Sequence, residues 1–204
     1  GLRQLMQTIR EARRYGGIIR FLIARLFYID GLATLFAMGG VYAAGTFDMD
    51  ATKVLWLGIM MSLSAGVGAA AFAMIDDRIG GKRTAILSLS CLIVLIITAL
   101  LVTSAISFWV VAACLGLFVG PVQAASRSYL LRVVPADLRT QAFGLYALSG
   151  KATAFIGPIM VAGLTTLFSS QRVGMSIIAV LFVIGLSLLF TVPRDAPDSS
   201  SDRG

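Results

Sequence analysis

The sequence contains no histidine, a single glutamate and only two cysteines among its 204 residues. Common zinc sites are built from histidine and cysteine, so this scarcity excludes them, and we predict no metal and no other cofactor. Cys91 and Cys114 lie inside apolar segments, where we interpret them as small core residues rather than a redox pair. No serine stands in a nucleophile elbow, and Glu11 precedes the first apolar segment, so we expect the protein not to be an enzyme.

Charged residues are also scarce. They make up 13% of the chain, whereas 58% of the residues are hydrophobic, and soluble domains carry roughly 25% charged residues. A soluble fold of this length cannot bury so much apolar side chain, and a disordered chain needs the opposite composition. We therefore predict an integral membrane protein whose first partner is the lipid bilayer. The net charge of +7 could suggest nucleic acid, but the basic residues lie between apolar segments, so no nucleic-acid partner is expected.

Six apolar segments are long enough to cross a bilayer, since a helix needs about 20 residues to cover a hydrocarbon core of ~30 Å. None of them shows the period-two alternation of a barrel strand. The predicted fold is therefore all-α and integral to the membrane, with six transmembrane helices between residues 17 and 192. The predicted spans are Gly17–Ala44, Val54–Ile75, Thr84–Thr103, Ile106–Leu131, Thr140–Phe168 and Val173–Val192.

The basic residues predict the orientation of these helices. Lys53 and Arg172 are the only two that fall in connections on one side of the predicted bundle. Because basic connections stay in the cytoplasm, both termini are predicted to be cytoplasmic, in a bacterial inner membrane. The basic residues on the predicted cytoplasmic side are Arg3, Arg10, Arg13, Arg14, Arg20, Arg78, Lys82, Arg83, Arg127, Arg132, Arg139, Arg194 and Arg203.

Two polar segments flank the spans. Residues 1–16 place leucine, methionine and isoleucine on one helical face, which predicts an amphipathic linker helix on the cytoplasmic surface, with a solvated linker as the alternative. Residues 193–204 are rich in serine and aspartate and are predicted to form a disordered cytoplasmic tail. The chain begins with Gly1 rather than methionine, so we expect a piece of a longer protein or a processed chain.

Glycine and proline stand side by side twice within the predicted spans. Gly120-Pro121 and Gly157-Pro158 can each weaken the backbone hydrogen-bond ladder. These four residues are hinge candidates, and a static kink is the alternative. Gly116 and Gly120 also form a G-x-x-x-G pair, which favours close packing between helices.

Three ionisable residues within the spans are candidates for function, since a charge inside the bilayer costs about 2.5–3.5 kcal/mol and commonly marks a pathway. Asp30 lies about 13 residues into the first span and Lys151 about 11 residues into the fifth, so both are expected near the middle of the bilayer. We predict that the two are coupled, directly or through a bound solute or proton, and a simple lock between two helices is the alternative. Arg25, Tyr28 and Gln123 complete the predicted substrate or proton pathway, although Arg25 could instead anchor the helix at the lipid headgroups.

The connection after the second span resembles a loop of the major facilitator superfamily. In that superfamily the cytoplasmic sequence D-R-x-G-x-[KR] latches neighbouring helices through acidic and basic groups, and we expect the same between the second and third spans. The match is incomplete, because Ala73 stands where a glycine is expected. The residues that carry the motif here are Asp77, Arg78, Gly80, Lys82 and Arg83.

Three further stretches, at residues 27–31, 120–128 and 143–158, resemble the vacuolar-effluxer-like branch of this superfamily, a group related to fungal vacuolar amino-acid exporters. Ile29 departs from the polar residue expected before the aspartate. The resemblance covers nearly the whole chain, but only the carboxy-terminal half of a twelve-helix transporter. In such transporters the first, second, fourth and fifth helices of this half line the cavity or face the other half.

The resemblance implies a secondary active transporter that moves a small solute, such as an amino acid, by alternating access. Its partner would be the missing amino-terminal six-helix half. The alternative is a self-contained six-helix membrane protein that pairs with a second copy of itself and acts as a channel or scaffold.

Overall fold

The computed structural model describes residues 16–134 and 138–192, and within them it shows helices and no strand. The amphipathic segment predicted at 1–16, except for Gly16, and the tail predicted at 193–204 lie outside these ranges. Six spans are long and apolar enough to cross a membrane, one of them made of two helices in succession, which confirms the predicted all-α membrane fold. The helices are α1 (Gly16–Phe47), α2 (Ala51–Ile79), α3 (Gly81–Leu101), α4 (Ala105–Val133), α5 (Arg139–Ala152), α6 (Ile156–Phe168) and α7 (Gln171–Phe190).

Local residues explain where several of these helices begin and end. Asp50 caps α2, because its carboxylate accepts a hydrogen bond of 2.8 Å from the backbone N–H of Lys53. This bond is the main reason why the pKa of Asp50 lies below its usual value. Gly80 alone separates α2 from α3, and its φ of 86° is one that glycine adopts without steric cost. Pro121, a hinge candidate, lies inside α4 without interrupting it.

α2 packs against α4 through glycine. A Cβ on Gly68 would lie 1.8 Å from the carbonyl oxygen of Leu117, and one on Gly120 would lie 1.9 Å from the carbonyl oxygen of Ala65. A Cβ on Gly116 would also approach the backbone of α2. The backbones of the two helices are therefore in direct contact, which is the close packing that the G-x-x-x-G pair favoured.

The buried core of the described residues lies between α1, α3, α4 and α7. Phe21 and Tyr28 of α1, Leu89 of α3, Val122 of α4 and Phe182 of α7 are all fully buried there. In contrast, the second and fifth spans form the edge of the bundle. Over its 29 residues α2 buries three residues, and α6 buries two of its 13.

Candidate functional site

The fifth span, predicted at Thr140–Phe168 with Gly157-Pro158 as a hinge or kink candidate, is interrupted near its middle. Residues 153–155 are not α-helical and separate α5 from α6. Pro158, in the first turn of α6, favours a break at this point: it has no N–H to donate to the carbonyl of Ala154, and its ring would collide with that carbonyl in a regular helix. The interruption therefore falls directly before the Gly157-Pro158 pair.

Asp30 reaches from α1 to this interruption. Its side chain is only 3% exposed, and its Oδ2 accepts a hydrogen bond of 3.1 Å from the backbone N–H of Gly157. Its Oδ1 is buried and has no hydrogen-bond partner among the described residues. The start of a helix carries a partial positive charge, so the carboxylate lies where the backbone favours a negative group.

Glycine is needed at position 157 because α1 and α6 approach closely there. A Cβ on Gly157 would lie 1.8 Å from Oγ1 of Thr34 and 3.3 Å from Oδ2 of Asp30. Thr34 itself is held in place, since its hydroxyl donates a hydrogen bond of 2.7 Å to the backbone carbonyl of Asp30. The contact between α1 and α6 therefore depends on Asp30, Thr34 and Gly157, because any side chain at position 157 would collide with α1.

Arg25 makes the corresponding contact between α1 and α5. Its Nη1 donates to the backbone carbonyl of Tyr146 at 2.8 Å and to the hydroxyl of Ser149 at 2.7 Å. The guanidinium carbon lies 3.4 Å from the centre of the Tyr146 ring, which is a cation–π contact. The side chain is 5% exposed, and its Nε has no hydrogen-bond partner in the described part of the chain. Arg25 is thus buried against α5 rather than extended along the surface of the bundle.

The remaining predicted pathway residues lie in different surroundings. Tyr28 is fully buried between α1 and α4, where its hydroxyl and that of Ser126 share a hydrogen bond of 2.7 Å. Gln123 is half-buried on α4. Lys151, in the last turn of α5, is exposed, and within the described ranges it forms no ion pair. The direct Asp30–Lys151 ion pair is therefore not formed, because the carboxylate faces the start of α6; coupling through a solute or proton stays a prediction.

The acidic residue of the loop motif, Asp77, and its neighbour Asp76 both contact α4. Nη2 of Arg132, at the end of α4, lies 3.5 Å from Oδ2 of Asp76 and 3.7 Å from Oδ1 of Asp77. We expected Asp77 and Arg78 to join the second and third spans instead. The connection of one residue already holds the adjoining ends of α2 and α3 together, and both carboxylates face the fourth span instead. Arg78 is exposed and forms no ion pair with the described residues.

The basic residues of the same motif behave differently from one another. Lys82 is buried, and its ammonium group donates to the backbone carbonyls of Phe190 and Val192 at the end of α7. A cation is favoured there, because the last carbonyls of a helix carry a partial negative charge. Arg83 is exposed. The motif therefore ties α2 to α4 and α3 to α7 at one end of the bundle.

Sequence reasoning missed two of the residues that build these contacts. Arg132 entered only as one of many basic residues, although its connection lies on the same predicted side as the Asp76-Asp77 pair. Tyr146 entered only as part of the stretch at 143–158, and nothing in the sequence shows that its ring lies under Arg25.

Comparison with known proteins gives a family match over almost the entire chain. Residues 1–199 match the family described as "Vacuole effluxer Atg22 like". A Bacillus subtilis protein named "Uncharacterized MFS-type transporter YxiO" is 26% identical over 201 residues, which cover 98% of this chain and 47% of that protein. Autophagy-related protein 22 of Cryptococcus neoformans is 24% identical over 200 residues, 90% of this chain and 35% of that protein. The protein of the same name from Yarrowia lipolytica is 22% identical over 209 residues, 95% of this chain and 35% of that protein. The chain thus spans less than half of each of these relatives.

Proposed function

Because the chain belongs to the vacuole effluxer Atg22-like family of membrane transporters, we propose that it forms one six-helix half of a secondary active transporter. Membership in a family of transporters confirms the prediction that the protein is not an enzyme. The relatives are more than twice as long as the matched region, which leaves room for a second set of helices. The half assigned here is the carboxy-terminal one, and transport proceeds by alternating access between the two halves.

The surface that would meet the missing amino-terminal half is formed by the second and fifth spans. Leu63 and Val67 of α2 are well exposed, and a Cβ on Gly58 or Gly66 would have open space around it. Small residues on a membrane helix allow the backbone of a neighbouring helix to approach closely. Co-purification of this chain with the preceding half of the same transporter supports this arrangement, whereas a stable dimer of this chain alone favours the homodimeric alternative.

We assign the solute pathway to the interruption of the fifth span. The observation that carries this assignment is the buried Asp30 carboxylate at the interruption, with one oxygen left without a partner. Charged groups are expensive inside a bilayer, and interrupted helices surround the binding sites of many transporters. The solute is a small molecule such as an amino acid. Arg25 and Asp30 support this choice, because they offer one positive and one negative group on the two sides of the interruption.

The test is a transport assay on the complete two-half transporter in proteoliposomes. Asp30→Asn and Lys151→Met should each lower uptake at least about tenfold, the equivalent of about 1.4 kcal/mol. Lys53→Met serves as the control, since Lys53 is exposed and lies outside the assigned pathway. The double variant should fold but remain inactive. If the double variant regains transport, neither residue is needed for transport itself, and wild-type uptake in both single variants would refute the pathway.

A further inference from the structure

α6 begins without a cap of its own. Phe155 occupies the position before its first residue and offers no side-chain hydrogen bond, and the first turn contains no acidic residue. The first N–H groups of any helix lack partners within the helix, and Ser, Thr, Asp or Asn at the preceding position normally accepts from one of them. Inside a membrane an N–H group that finds no partner is especially costly.

We propose that Asp30 is the N-terminal cap of α6, supplied by α1 instead of by the chain that precedes α6. A cap normally accepts from the second or third residue of its helix. The third residue of α6 is Pro158, which has no N–H, so only Gly157 can donate, and it donates to Asp30. Asp30 is thus a positioning residue for α6, in addition to its place in the proposed pathway.

The steric fit supports this assignment independently of charge. The carboxylate reaches the Gly157 N–H because position 157 has no side chain, and a Cβ there would collide with Thr34. The carbonyl of Phe155 accepts a hydrogen bond from the N–H of Ile159, which is the first helical hydrogen bond of α6. The Gly157 N–H that Asp30 binds therefore lies in the first turn of this helix. The close contact of Asp30 and Thr34 with Gly157 therefore sets both the start of α6 and its distance from α1.

Two charged residues of α1 contact the two helices of the interrupted span. Arg25 binds the last two turns of α5, through the carbonyl of Tyr146 and the hydroxyl of Ser149. Asp30 binds the first turn of α6. The positive start of α6 favours the carboxylate of Asp30. Arg25 is held instead by its two hydrogen bonds and by the ring of Tyr146. α1 consequently contacts α5 through Arg25 and α6 through Asp30, one on each side of the interruption.

This arrangement links the cap to solute binding, a consequence that rests on the proposed function. Oδ2 of Asp30 is used by Gly157, whereas Oδ1 is buried and has no partner among the described residues. A cationic group of the solute that binds Oδ1 and the N-terminus of α6, which binds Oδ2, interact with the same carboxylate charge. Solute binding therefore weakens the interaction between Asp30 of α1 and the first turn of α6.

The experiment measures amide hydrogen exchange of the two-half transporter in lipid nanodiscs, with mass spectrometry of peptides that cover residues 153–160. Asp30→Asn keeps an acceptor oxygen and should leave exchange at Gly157 close to that of the wild type, whereas the N–H of Ile156 donates to the carbonyl of Thr153 and does not report on the cap. Asp30→Leu keeps the size but removes the acceptor, and exchange at Gly157 should become at least about fivefold faster. Lys151→Met is the matched control, because it should stop transport without changing exchange.

Accumulation in the membrane gives a second readout if Asp30→Leu folds poorly. Leucine removes a costly buried charge, so a carboxylate without a structural role would be replaced more easily by leucine than by asparagine. Under our proposal asparagine is the better replacement. Equal exchange and equal accumulation of the two variants would overturn the cap, even if both fail to transport. Faster exchange in Asp30→Leu together with normal transport in Asp30→Asn would support Asp30 as the cap of α6 and refute the proposed pathway.

Discussion

Replacing Gly68 with alanine tests whether the backbone contact between α2 and α4 stabilises the bundle. The new methyl group would lie 1.8 Å from the carbonyl oxygen of Leu117, far inside an ordinary contact distance, and a backbone atom cannot rotate away. The two helices must separate by roughly 1.5 Å, and a gap of only about 0.5–1 Å already loses a quarter to a half of a van der Waals contact. Overpacking of this kind costs about 1–3 kcal/mol.

Gly66→Ala is the matched control when this six-helix chain is melted by itself, since it lies on the same helix and a Cβ there meets nothing within 4 Å. Trp56 on α2 and Trp109 on α4 line one groove beside this interface, so tryptophan fluorescence in detergent reports its melting. At about 2–4 °C per kcal/mol for a chain of this size, Gly68→Ala should lower the melting temperature by about 2–12 °C. The control should match the wild type or exceed it. A Gly68→Ala protein that melts with the control would refute the backbone contact.

Two further predictions concern the cytoplasmic end and the orientation. Asp76→Ala should lower the melting temperature more than Asp77→Ala, although both carboxylates face Arg132, because the Asp76 side chain is 13% exposed and that of Asp77 is 82% exposed. Equal losses, or a larger loss for Asp77→Ala, would contradict this ranking. With both native cysteines replaced by serine, Asp50→Cys should react with an impermeant thiol reagent added outside cells, and Arg83→Cys only after permeabilisation. The reverse labelling would place the termini outside.

The membrane fold followed from local properties of the sequence. Each span is a run of apolar residues of sufficient length, so the first one was predicted at Gly17–Ala44 and observed at Gly16–Phe47. The G-x-x-x-G pair likewise indicated where two helices approach closely, because the absence of a side chain is visible in the sequence. The acidic and basic residues of the loop motif could be identified, but not their partners on α4 and α7.

The partner of Asp30 was decided only by the tertiary structure. The sequence placed Asp30 and Lys151 at similar depth, since depth depends only on the number of residues from the start of each span. Which way each side chain faces depends on how α1 packs against the fifth span, and on where that span is interrupted. The span is interrupted at residues 153–155, shortly before Pro158, and the missing side chain at Gly157 lets α1 come close. The carboxylate therefore meets a backbone N–H at the start of α6, while Lys151 stays exposed on α5.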